Sequence, residues 1–234
     1  GTSAADTRGA AYDAGLRSYM LSVYNYMASG VLLTGIVALL FASGGRDSLA
    51  AQVFLAPGIL KYVVIFSPLA FIMVLNFGLN RLSTGAAQLI FWTFAAVMGV
   101  SMSTIFLVYT GTSIAITFFA TAVAFLSLSL YGYTTKRDLS GMGTFLIMGV
   151  VGLIVASLLN LFFKSPAMAM VISAVGVLLF AGLTAYDTQR IKSMYAYVAG
   201  TDMIGKAVIM GALSLYLDFI NMFQFLLSFM GQRD

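Results

Sequence analysis

Two aspartates stand where an apolar chain has little reason to place a charge. Asp187 lies in FAGLTAYDTQRIK (180–192) and Asp218 in GALSLYLDFINMFQFLL (211–227), while every other carboxylate, Asp6, Asp13, Asp47, Asp138, Asp202 and Asp234, falls in a polar stretch, and Glu is absent. Ionised at mid-membrane, a carboxylate costs at least about 2.5–3.5 kcal/mol, so it must be paired, solvated in a cavity or protonated. Two carboxyls within hydrogen-bond reach cannot both ionise cheaply; such a pair titrates in two separated steps and can act as a proton-sensitive contact. The chain has no His and no Cys, so a histidine switch, a Cys/His zinc site and a structural disulfide are excluded.

The polar neighbours follow helical spacing. Ser214, Asp218 and Asn221 recur at i, i+4 and i+7, with Gln224 one turn further, so all four share one helix face that should look into the protein. Asp187 has two candidate cations. Arg190 is local at i+3, and Arg81, in NFGLNRLS with Asn76 and Asn80, is brought to the same side by another span.

The elements that carry these residues are membrane spans. With 61% hydrophobic and 9% charged residues, the chain departs far from the charged fraction of about 25% of soluble domains. Seven runs reach the roughly 20 apolar residues needed to cross a bilayer, at about 20–42, 62–80, 86–108, 114–133, 144–163, 167–187 and 207–229. Strand-like alternation is absent, so the fold class is an all-α membrane protein with seven transmembrane helices. Residues 1–19, opening on a Gly-Thr-Ser that resembles a tag remnant, read as a short cytosolic tail, and 20–234 as one transmembrane domain. A cytosolic N-terminus leaves Arg8, Arg17, Arg81, Lys136, Arg137, Arg190, Lys192 and Lys206 inside and only Arg46, Lys61, Lys164 and Arg233 outside, as the positive-inside rule prefers. The alternative is six spans and a re-entrant last segment. Ala95, Gly99 and Ser103 are spaced for close helix packing, and Pro68 for a kink in the second span.

The relative depth of the two aspartates depends on where the sixth span ends. Ending at Asp187 would separate them by about 15 Å in depth. However, DTQRIKSMYAYVA holds no Gly or Pro until Gly200, so a continuing helix, or unwinding near Gly205 or Gly211, would bring them level.

YGYTTKRDLSGMG (131–143), together with the two aspartate stretches, resembles the Bax inhibitor-1 (transmembrane Bax inhibitor motif) family, in its bacterial inner-membrane branch. The resemblance implies six helices wrapped around a central polar seventh, and a pH-sensitive calcium leak in which two aspartates share a proton and an arginine of the second helix latches the closed form. Carried over by motif, the aspartates are Asp187 and Asp218; Arg81 follows by position, with Arg190 the local alternative. Asn76, Asn80, Ser214, Asn221 and Gln224 are the expected polar lining, and the two aspartates the expected transient calcium ligands. No enzyme and no cofactor are expected. An intramembrane aspartyl protease would share the Tyr-Asp but needs Gly-x-Gly-Asp and a later Pro-Ala-Leu, and no Pro follows Pro166. The expected partners are the lipid bilayer, calcium ions and protons, with no nucleic acid; the competing reading is a non-conducting modulator of a membrane-bound ATP-dependent protease.

Overall fold

A computed structural model describes residues 3–233; Gly1, Thr2 and Asp234 lie outside the described residues. The order is α1 (Ala4–Phe41), a 3-10 turn (Gly45–Asp47), α2 (Leu49–Phe54), α3 (Leu60–Gly78), α4 (Thr84–Met102), α5 (Ile105–Val108), α6 (Gly111–Thr134), α7 (Ser140–Phe163), α8 (Pro166–Val198) and α9 (Ile204–Met230). Seven helical segments are long and apolar enough to span a bilayer: α1, α3, α4 with α5, α6, α7, α8 and α9.

Helix starts are written locally. Ser3 and Asp6 form a capping box on α1, and Ser83, Thr110 and Ser165 each accept an amide hydrogen at the heads of α4, α6 and α8, satisfying donors a helix end leaves open. Pro166 occupies the first turn of α8, where no amide is needed. Ser140 at the start of α7 donates its amide and hydroxyl to Asp138, which holds that exposed carboxyl below its ordinary range.

Two helix ends differ from the hydropathy reading. α1 begins at Ala4 rather than near residue 20, so the expected tail is helical, and α8 continues eleven residues past Asp187 to Val198. The two extensions support one another. The Tyr19 hydroxyl donates to the Ile191 carbonyl at 3.2 Å, and the Tyr195 ring packs against Tyr12 and Tyr19 at 5.1 and 5.3 Å between centroids. Aromatic contacts of this kind let a polar stretch remain helical where hydropathy alone reads a boundary.

α9 is the most buried of the seven spans. It packs chiefly on α8, α1, α6 and α4, while α3 is held mainly by α4 and α7 by α8. Four helices therefore enclose α9, where six were expected, and two stand outside. α9 is also a complete crossing and not a re-entrant segment. Near its start, Gly205 lies against Thr84 at the head of α4. Beyond its end, Gln232 accepts the Thr110 amide at 3.0 Å and donates to Ser113 at 2.8 Å, at the opposite end of α4.

Small residues set the closest approaches. A Cβ built on Gly99 would stand 2.6 Å from the Thr34 carbonyl of α1, and one on Gly132 only 2.2 Å from the Ala185 carbonyl of α8. Buried Ala95 and Ser103 flank the first contact on α4, so this small-residue stripe serves packing. Buried hydroxyls bond across the same seams. The Thr34 hydroxyl donates to the Ala95 carbonyl at 2.7 Å, which leaves the fully buried Tyr216 hydroxyl to donate to Thr34 at 2.5 Å.

Candidate functional site

The continuation of α8 levels the two aspartates. Asp187 stands eleven residues before the end of α8, and Asp218 fourteen after the start of α9. Measured from the turn that joins the two helices, these are depths of about 16 and 21 Å, close enough for side chains to meet. No unwinding contributes, because α9 is helical through Gly205 and Gly211.

The site is assembled on the α8–α9 seam. Thr184 and Thr188 fold their hydroxyls back onto the Phe180 and Thr184 carbonyls, both at 2.7 Å, so they need no partner from the carboxyls. Gly132 lets α6 touch the backbone at Ala185, and Gly143 leaves room for the Tyr186 ring. With neighbours this close, α8 has little freedom to turn about its axis, and Asp187 points toward α9.

Asp187 and Asp218 are both buried, and their carboxyl groups come within hydrogen-bonding reach of each other. Arg190 completes the cluster. One of its guanidinium nitrogens donates to Asp187 at 3.3 Å and to the Ser214 hydroxyl of α9 at 3.2 Å. Ser214 in turn donates to the Met210 carbonyl. Oδ2 of Asp218 is buried and meets no N–H or hydroxyl donor among the described residues. Such an orphan acceptor is costly in a low-dielectric interior unless a proton lies between it and a neighbour.

The remaining expected residues divide. Ser214, Asn221 and Gln224 form a half-buried stripe at the edge of the buried face of α9, not in its centre. Asn76, Asn80 and Arg81 are exposed at the end of α3 and make no side-chain hydrogen bond or ion pair among the described residues. Because α3 rests on α4 rather than on α9, the structure does not bring Arg81 to the carboxyls, and the cation beside them is Arg190. Among the described residues no cluster of three or more His, Cys, Asp or Glu side chains is present, so calcium ligands at this site would number two carboxylates plus neutral oxygens.

Sequence reasoning overlooks one adjoining hydrogen-bond chain. Thr188 donates to Thr184, so Ser129 of α6 must donate to Thr188, at 2.8 Å, and Tyr24 of α1 to Ser129. The only signal is the i, i+4 pair of threonines around AYD; the partners lie over fifty residues away.

Fold and site together define a polytopic helical membrane protein with a buried carboxyl pair between α8 and α9. The match to the family described as "Inhibitor of apoptosis-promoting Bax1" extends over residues 16–234, and the chain belongs to this Bax inhibitor-1 family. It is similar to the inner membrane protein YbhL of Escherichia coli K12, 43% identical over 222 residues covering 94% of each chain. It is also similar to an uncharacterized protein of Rickettsia prowazekii, 47% identical over 223 residues, with 95% of this chain and 92% of the relative covered.

Proposed function

We propose that the protein is a pH-sensitive cation leak of the bacterial inner membrane, with calcium as its cargo, gated by the Asp187–Asp218 pair. The observation that carries this reading is the orphan Oδ2 of Asp218 lying beside a second buried carboxyl. A proton shared between the two groups supplies the missing hydrogen bond and ties α8 to α9. Loss of that proton leaves two negative charges facing each other beside Arg190, and repulsion in a poorly hydrated setting loosens the seam. The oxygens then offered, from the two carboxylates, Ser214, Asn221 and Gln224, suit a hard divalent cation, which prefers several oxygen ligands. A set so short of charge favours transit over storage. In this arrangement Arg190 serves as the latch, in the place expected for Arg81.

Calcium flux into protein-only liposomes at several pH values tests the reading. Asp218→Asn is expected to remove the pH dependence and Asp187→Asn to weaken it or raise basal flux. Identical pH profiles for the wild type and both variants would defeat the mechanism.

A further inference from the structure

α1 and α6 both lie on α8 and α9 but scarcely touch each other. The gap is a groove of about 860 Å³, floored by Phe125 and by Phe219 of α9, and apolar except for Tyr24 and Ser129 along it and Arg17 and Tyr133 at its mouth. Its lips are exposed, Leu32 at 65%, Leu126 at 64% and Leu130 at 63%, so it opens sideways from spans long and apolar enough to cross a bilayer, toward the acyl chains around them. From Arg17 at the mouth to Leu32 at the far end is fifteen residues of α1, about 22 Å. That length exceeds one leaflet, half of the roughly 30 Å hydrocarbon core.

The mouth has a different chemistry. Arg17 and Tyr133 belong both to the groove and to a polar basin of about 810 Å³ at the end of the bundle where α1 begins. Arg17, Lys136, Arg137 and Lys192 line this basin against Asp13 and Asp138, an excess of two positive charges. The side chains of Arg17, Lys136 and Arg137 have no protein partner among the described residues. Lys192 is fixed, donating to the Tyr133 carbonyl at 2.7 Å and lying over the Tyr133 ring at 4.6 Å, with two ammonium hydrogens to spare.

We propose that the groove and basin together form a binding site for one anionic phospholipid of the surrounding bilayer, an acyl chain lying between α1 and α6 and the headgroup phosphate held by Arg17 and the basin cations. The groove alone would accept any acyl chain; the cations at its mouth select for negative charge. Since the two are joined, the ligand must carry both parts at once, which a free phosphate does not.

The test is lipid retention by full-length protein, delipidated in detergent and offered phosphatidylglycerol or phosphatidylcholine, read by native mass spectrometry. Phosphatidylglycerol is expected to be retained preferentially. Arg17→Gln should lower that preference about fivefold, the value of one cation at a membrane surface. Leu126→Trp, on an exposed lip where bulk is tolerated, should abolish retention without changing the melting temperature, and Ala122→Phe inside the groove should do the same. Millimolar glycerol phosphate should not displace the lipid. Equal retention of the two lipids, retention surviving both groove variants, or displacement by glycerol phosphate would each overturn the assignment.

Discussion

Arg190 and Asp187 form the single ion pair among the described residues, 3.3 Å apart and one turn apart on α8. The same guanidinium reaches Ser214 on α9, so a charge on one helix of the seam is balanced by a group that also touches the other. Both contacts sit next to Asp218, and that position makes the pair more than a surface bridge.

Arg190 should set the pH at which the proposed leak changes state. A neighbouring cation favours ionised carboxyls, so its removal lets the pair keep a proton to higher pH. Arg190→Gln is therefore expected to move the midpoint of the flux-versus-pH curve upward, by about one unit or more. Liposome flux across the pH range measures this directly, and a midpoint that stays in place or moves down would separate Arg190 from the switch.

The Tyr216–Thr34–Ala95 relay should respond unequally at its two hydroxyls. Tyr216→Phe removes the terminal donor and leaves Thr34 bonded to the Ala95 carbonyl, at a cost of roughly 0.6 kcal/mol, the average for an interhelical bond in a membrane protein. Thr34→Val leaves the buried Tyr216 hydroxyl without its acceptor and should cost about 1–3 kcal/mol. Unfolding of purified protein by denaturing detergent gives the order, and equal losses would contradict the proton direction assigned to the relay.

Gly132 brings α6 directly against the backbone of α8 at Ala185. A methyl there meets backbone, which cannot rotate away, so Gly132→Ala should destabilise by about 1–3 kcal/mol. At Gly152, on the exposed side of α7, a Cβ meets nothing within 4 Å, and Ala there should be neutral or stabilising by up to about 1 kcal/mol. The two melting temperatures together distinguish a packing constraint from a general intolerance of alanine.

Much of this is legible without coordinates, because hydropathy marks the seven spans and the rarity of carboxylates marks Asp187 and Asp218. Helix ends are less legible. Residues 188–198 carry charge and hydroxyls, and what keeps them helical is the tyrosines of α1, distant in sequence. The identity of the cation is hidden for a similar reason. Arg81 and Arg190 are equally placed on paper, and only the seating of α3 on α4 separates them. The relay through Thr34 and the chain through Ser129 are invisible, since single hydroxyls in apolar helices carry no pattern that names their partners.

The helix enclosed by its neighbours is made after all four of the helices that enclose it. Until α9 enters the membrane, the faces of α1, α4, α6 and α8 that will receive it have only lipid or one another to meet, with Asp187 and Thr34 lacking their α9 partners. Assembly is thus withheld until α9 has been made, and a chain cut short before Ile204 is expected to reach the membrane as an unfinished shell that quality-control proteolysis can recognise.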